Sequence, residues 1–232
     1  MARNTKGEVI PNQVFVGCPW KTVRPKYEKV IESLNKKYPL SFVIIGRDSS
    51  QDAEDLLETI KTKLMSSSYA VFNATAGNPN VSLEFGFAEA NDIPRALYTS
   101  THRAARRGDD QPAIISDLAG KRRNIYKTEK SLSQLLVALA RKHNYTKQFE
   151  KALRESFASF SKGKKKRYRA LSLKVIHGLD GSQKIRRVDL VQNLRALVQG
   201  YKESEIDEVI RILHSHGLLI SEVGRYSSLR ML

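Results

Sequence analysis

A chain of 232 residues exceeds the commonest single-domain size and falls short of three domains, so one α/β unit with a smaller module is the expectation. Hydrophobic content of 41% and aromatic content of 8% suffice for a packed core, and no apolar stretch approaches the roughly 18 residues that cross a bilayer, so a soluble protein with no membrane partner is the expectation. The formal charge of +16 is uneven: residues 1–150 hold 23 basic and 16 acidic side chains and residues 151–232 hold 17 and 8, which points the shorter, more basic segment toward a polyanion, with a merely solubilising surface as the alternative.

Val14 to Gly17, Ser41 to Gly46 and Tyr69 to Asn73 are short apolar runs that read as buried strands of a parallel sheet. Between the first two, Val23, Tyr27, Val30, Ile31 and Leu34 form one helical stripe. Between the next two, Leu56, Leu57, Ile60 and Leu64 form another within Asp52 to Met65. A helix from Asn80 to Asn91, a strand from Arg95 to Thr99, a strand at Asn124 to Tyr126 and a closing helix from Ser131 to His143, capped by Ser131, complete the alternation. Strand alternating with helix predicts an α/β fold, a flavodoxin-like doubly wound parallel sheet, over residues 1–145.

Residues 146–169 read as a basic helical linker. Ser161 to Arg169 is its most cationic run, suited either to spanning solvent or to serving as a phosphate-binding arm through Lys164, Lys165, Lys166 and Arg167. Residues 170–232 then show helical periodicity at Leu171–Leu179, Val188–Val198 and Glu203–His216, followed by two strands around Gly224. Three helices and a hairpin are the order of a winged helix-turn-helix domain. Its third helix would enter the major groove with Lys202 and Arg211, Arg225 would meet phosphate at the wing tip, and Arg186 and Arg187 would touch backbone; docking of a protein partner is the alternative use of such a domain.

Ligands of parallel sheets collect at the carboxyl ends of strands. Gly17, Cys18, Pro19 and Trp20 follow the first strand and Thr75 to Asn80 the third, so both loops should face one crevice. Asn80 or Ser82 would cap the next helix and place Glu84 in its first turn, beside free amides. Trp20 and Tyr27 are candidates either for stacking on a base or for plain packing. Cys18 is the only cysteine, which excludes a disulfide framework or thiolate cluster. The N-terminal residues lack an apolar leader core, and together these point to the cytoplasm. The five histidines show no metal-ligand spacing and neither GxSxG nor Walker A occurs, so no metal and no cofactor are expected.

A strand ending in Gly17-Cys18-Pro19-Trp20, the strand Ser67 to Asn73, and Asn78-Pro79-Asn80-Val81-Ser82-Leu83-Glu84-Phe85-Gly86-Phe87-Ala88 together resemble the nucleoside 2-deoxyribosyltransferase family and related Toll/interleukin-receptor-like nucleotide-binding domains. Ser116 to Gly120 before Ile125-Tyr126 adds to the likeness, which covers about residues 14–143. The resemblance implies that Glu84 attacks or stabilises the anomeric carbon of a nucleoside or nucleotide sugar, with Gly17, Cys18, Pro19, Trp20, Asp52, Asn78, Asn80 and Ser82 around the substrate. Several members carry an acid six positions before the glutamate, where this chain has Asn78. An amide donates no titratable proton, which moves the expectation from base exchange to hydrolysis of a nucleoside, a nucleotide or NAD. Asp48, Asp52 and Asp55 could supply the missing acid or bind ribose. The pairing with a winged helix resembles effector subunits of bacterial retron anti-phage systems, and so implies nucleic acid, a reverse transcriptase with its noncoding RNA, and a second copy of the chain as candidate partners. A nucleotide-sensing DNA-binding regulator without turnover is the alternative function, and a protein-docking scaffold a third.

Overall fold

The computed structural model describes residues 9–21, 23–45, 53–101, 122–179, 185–186, 192, 200–222 and 228–231, with backbone alone for 53–55, 76, 185–186, 220–222 and 228–231. Two compact units result. One comprises Gln13–Leu34 and Phe42–Leu139, and the other Ile10–Asn12, Asn35–Ser41 and the chain from Ala140 onward.

The first unit is built on β1 (Ile10–Gly17), α1 (Arg24–Asn35), β2 (Ser41–Val43), α2 (Ala53–Met65), β3 (Ser67–Asn73), a 3-10 turn (Thr75–Gly77), α3 (Pro79–Ala90), β4 (Arg95–Ser100), β5 (Arg123–Tyr126) and α4 (Glu129–Lys142). The five strands form a parallel sheet in the order β2-β1-β3-β4-β5, as the alternating pattern predicts. Its middle strands are buried because their runs are apolar on both faces. Phe15, Phe72 and Phe85 meet under α2 and α3, with Phe72 and Phe85 edge to face at 5.5 Å, while Tyr27 and Tyr126 meet on the α1 side at 6.4 Å. Asn73, fully buried at the carboxyl end of β3, donates from Nδ2 to the hydroxyls of Tyr27 (3.2 Å) and Tyr126 (2.6 Å) and accepts from the Thr75 amide (3.0 Å). Three polar groups that would each be costly if unpaired thereby satisfy one another.

Two caps differ from the sequence reading. Asn78 caps α3, its Oδ1 accepting from the amides of Asn80 (3.0 Å) and Val81 (3.3 Å), with Pro79 in the first turn where its missing N–H costs nothing. Thr128 caps α4, its hydroxyl accepting from the Ser131 amide at 3.2 Å, while Ser131 Oγ accepts from the Thr128 amide at 3.0 Å.

The second unit holds α5 (Asn144–Ser156), α6 (Lys162–Gly178), β6 (Ile185–Arg186), α7 (Glu203–Ser215), β7 (Leu219–Glu222) and β8 (Ser228–Met231). The cationic run expected to span solvent is the first half of α6, capped by Ser161 and continuous to Gly178. It packs because Tyr168 meets Phe157 and Phe160 edge to face at 5.1 Å each, the Lys164 ammonium lies 3.7 Å from the Phe160 ring centre, and Arg167 grips both oxygens of Glu205 at 2.8 Å. Helix α7 ends at Gly217, whose left-handed φ of 67° lets the Leu218 amide reach the Leu213 carbonyl at 2.8 Å. Beyond it β7 and β8 pair antiparallel and β6 pairs with β8, giving the order β6-β8-β7; the expected helix over Val188–Val198 lies outside the described residues except at 192. No described helix is long and apolar enough to cross a membrane.

Candidate active site

In the order β2-β1-β3-β4-β5, the chain leaves β1 toward one side and β3 toward the other, so the loops beyond their carboxyl ends part and leave a crevice. Gly17 closes β1 at that edge, and the Thr75–Gly77 turn leads from β3 into α3. Between them is a cavity of about 650 Å³, lined by Cys18, Trp20, Ile45, Leu56, Leu57, Ile60, Lys61, Leu64, Asn78, Asn80, Val81, Leu83, Glu84 and Phe87. Its volume suits a nucleoside-sized ligand, and its wall is largely apolar with a few polar groups, as small-molecule sites are. Trp20, Leu57 and Leu83 on its wall are exposed, at 44%, 41% and 63%.

Glu84 is the carboxylate of this cavity. It lies in the second turn of α3, because the helix starts at Pro79 and not at the expected Asn80 or Ser82. The carboxyl group packs over Gly17: a Cβ built on that glycine would collide with Glu84 Oε2 and come within 2.8 Å of the Phe72 ring. Only a glycine leaves room for carboxylate and aromatic floor together. Oε2 is shut off from solvent and has no hydrogen-bond partner among the described residues. Burial pushes the Glu84 carboxyl up to about 7, with no offsetting cation or donor among the described residues. A carboxylate so placed lacks a partner that a ligand could bring: a proton, a hydroxyl, or a centre developing positive charge.

The chain matches no family profile and no curated protein. Solved structures do resemble it. Among them are a 2-desoxiribosyltransferase from Leishmania mexicana, at TM-score 0.41 and 9% identity, and a CMP N-glycosidase from Clostridium botulinum, BcmB, at TM-score 0.38 and 15% identity; in each case 55% of this chain covers 98% of the other. Values this low leave the chemistry to be argued from the residues themselves.

The structure brings Cys18, Trp20, Asn78, Asn80 and Glu84 to one cavity. Pro19 supports it through its carbonyl, which accepts the Val23 and Arg24 amides at 3.2 Å and turns the chain into α1. The Arg24 guanidinium then lies 3.6 Å from the Trp20 ring centre and bonds Glu28 at 2.5 Å, which holds the indole at the crevice mouth. Cys18 is no nucleophile, since burial and then the Glu84 charge push its thiol up to about 12. Ser82 does not line the cavity; its hydroxyl donates to the Asn78 carbonyl at 3.1 Å. Tyr27 is wholly buried and engaged with Asn73, so it packs and does not stack on a ligand. Asn78 has its Oδ1 committed to the helix cap, leaving its amide nitrogen for a ligand. Asp48 and Asp52 lie outside the described residues, as does the side chain of Asp55.

The sequence places Leu56, Leu57 and Ile60 on one apolar helical stripe without marking them as site residues, and passes over Leu83, Phe87 and Lys61. Leu64 alone of the α2 stripe is fully buried, because the amino half of α2 stands beside the crevice at the carboxyl edge of the sheet. Periodicity marks an apolar face without saying whether protein or ligand covers it.

Of the expected nucleic-acid contacts, Lys164 lies over Phe160, Lys165 donates to the Ala158 carbonyl at 2.9 Å, and Arg167 is held by Glu205 and by the Gly200 carbonyl. Lys166, Lys202 and Arg211 are exposed. Arg186 is described in backbone only, and Arg187 and Arg225 lie outside the described residues. Among the described residues no group of three His, Cys, Asp or Glu stands close enough to hold a metal ion.

Proposed function

We propose that the crevice binds a nucleoside or nucleotide and that the chain is an N-glycosidase, with Glu84 acting on the anomeric carbon. The observation that carries this is Glu84 Oε2: shut off from solvent, without a hydrogen-bond partner among the described residues, and set at the point where the sheet order reverses. Cleavage of an N-glycosidic bond passes through an oxocarbenium-like state, and an ionised Glu84 without a counter-ion among the described residues stabilises that positive charge more than it stabilises the neutral ground state. The bond from C1′ to the base nitrogen breaks with its electron pair leaving on the base, and a bond from C1′ to water oxygen or to Glu84 replaces it. The apolar wall of Leu57, Leu83 and Phe87 with the Trp20 indole takes the base; Asn78 Nδ2 and Asn80 supply polar contacts.

Glu84 is the only carboxyl group on the described cavity wall, so among the described residues no second acid protonates the leaving base. This favours hydrolysis over base exchange, and substrates whose base departs without needing a proton, such as the pyridinium of NAD. Incubation with NAD and a panel of nucleosides and nucleotides, read by chromatographic detection of free base, tests the reading. Base release that persists in Glu84→Gln removes the residue from its role.

The finer part of the proposal is that the second unit is a winged helix that holds the enzyme on nucleic acid. Support comes from the helix-strand-helix-hairpin order, the sheet order β6-β8-β7, and the exposed Lys202 just before α7 and Arg211 within it. An anti-phage effector role, with a reverse transcriptase and its RNA as partners, extends this further. It predicts that nucleic acid changes the rate of base release. A regulator that binds nucleotide without turnover is the second reading, favoured by that same lack of an acid. Recovery of unchanged ligand, together with ligand-dependent DNA affinity, would select it.

A further inference from the structure

The second unit contains a cavity of about 700 Å³ that the glycosidase reading does not use. Its wall comes from the segment after α1, the end of α4, and one face each of α5 and α6. Seven cationic side chains line it against one carboxylate, and that carboxylate, Glu150, is already paired with Arg169 at 2.8 Å. Two of the guanidinium groups are held in place. Arg169 donates from Nη2 to the Lys37 carbonyl at 2.8 Å, and Arg141 donates from Nε to the Tyr38 hydroxyl at 3.2 Å. Among the described residues no carboxylate pairs with Lys37, Lys147, Arg154 or Lys166.

An independent feature marks the same cavity. Thr146 is 2% exposed on its wall, and its hydroxyl has no hydrogen-bond partner among the described residues. A helical threonine ordinarily returns its hydroxyl to the preceding turn, so an orphaned one in a cationic cavity is a donor waiting for an acceptor. Tyr38, Ala170 and Leu173 supply an adjoining apolar surface.

We infer that this cavity is a nucleotide-binding site, taking a ligand that carries several phosphates beside a nucleoside. Crowding Lys37, Lys147, Arg154 and Lys166, which have no carboxylate partner among the described residues, is unfavourable, and one phosphate engages only two or three cations, so the lining fits a phosphate chain better than a single anion. The volume lies in the range of small-molecule sites and leaves room for a base against Tyr38 and Leu173. A free nucleoside triphosphate and the end of a nucleic-acid strand present this same chemistry. The inference does not depend on the role of Glu84.

The test is calorimetric titration of the full chain with ATP, with inorganic tripolyphosphate and with a short 5′-phosphorylated single-stranded oligonucleotide, at two salt concentrations. Wild type is compared with a Lys147→Ala, Arg154→Ala double variant, with Thr146→Val and with Glu84→Gln. ATP or the oligonucleotide binds, the double variant weakens it at least about tenfold, and Glu84→Gln leaves it unchanged. Tighter binding of the oligonucleotide with a steep salt slope identifies a strand end as the source, and equal or tighter ATP binding a free nucleotide. Thr146→Val removes an unsatisfied buried group, so it leaves the melting temperature unchanged or raised while lowering affinity, an opposition that a purely structural threonine would not produce. Failure of both ATP and the oligonucleotide to bind, or binding unaltered by the double variant, overturns the inference, and tripolyphosphate binding as tightly as ATP overturns its nucleoside half. Loss of base release in Glu84→Gln with nucleotide binding retained here separates this site from the glycosidase crevice.

Discussion

Glu84→Gln tests the electrostatics of the crevice independently of any substrate. The Glu84 carboxyl titrates at about 7 in the folded protein against an ordinary value of 4.5. The folded state therefore binds this proton more tightly than the unfolded state, and the protein loses stability as pH rises from about 4.5 to about 7, with no further change beyond. The full shift corresponds to about 3 kcal/mol, and since Glu84 is only half-buried, relaxation of water around it brings the expected cost to about 1–3 kcal/mol. Glutamine removes the titration. Its own unpaired amide costs something, but equally at every pH, so the informative quantity is the change in the difference between variant and wild type. Urea denaturation should show the variant gaining about 1–3 kcal/mol on wild type between pH 4.5 and pH 8. A difference that stays constant over that range, or moves the other way, would mean that Glu84 is not held in an unpaired buried state.

Gly17→Ala puts a methyl group against the Glu84 carboxyl and the Phe72 ring. It should destabilise by about 1–3 kcal/mol and abolish base release, both read from one preparation by thermal denaturation and product chromatography. Asn73→Ala strips the hydroxyls of Tyr27 and Tyr126 of their shared donor. Because the Tyr126 hydroxyl also bonds Tyr27 and Ser100, a total loss of about 1–3 kcal/mol in urea denaturation is expected, and no loss would show that these remaining bonds or water replace the amide. Arg167→Ala should lower the melting temperature with little effect on nucleic-acid affinity, because that guanidinium is committed to Glu205. Arg167 holds the Glu205 carboxyl down to about 2, so the stabilisation is full above 4.5 and fades as pH falls toward 2, where variant and wild-type melting temperatures should converge.

The parallel sheet was legible because short apolar runs alternate with amphipathic helices, and Glu84 because it lies just past a strand-to-helix loop. The start of α3 was missed although its signal is present: Asn78 before Pro79 pairs a capping side chain with the residue suited to a first helical turn. That the stripe of Leu56, Leu57 and Ile60 faces a crevice was illegible for a deeper reason, since a crevice wall and a core are equally apolar in sequence. The run Ser161 to Arg169 has one aromatic residue among its cations, and what makes it pack is tertiary: Phe157, Phe160 and Glu205 stand opposite it. The two-residue strand β6 leaves no local signature at all. The cationic cavity was illegible because Lys36 and Lys37 are far in sequence from Lys147 and Arg154.

The pH dependence of turnover decides which form of Glu84 works. With its carboxyl near 7, both protonation states are populated at neutral pH, so the group can serve either as a buried anion or as an acid. It cannot serve as both at one instant, and no other carboxyl group of the described wall shares the task. If the carboxylate stabilises the oxocarbenium centre, kcat/KM should rise with pH through about 7 and level off, each unit below the midpoint costing about tenfold. A substrate with a pyridinium leaving group needs no proton and should show this rising limb alone. A neutral purine or pyrimidine nucleotide should show in addition a fall at high pH, from loss of whatever protonates the base, and a slower rate throughout. A profile that falls through pH 7 for the pyridinium substrate would make Glu84 the acid and reverse its assigned role; one that stays flat from pH 5 to pH 9 would remove it from the rate-determining chemistry.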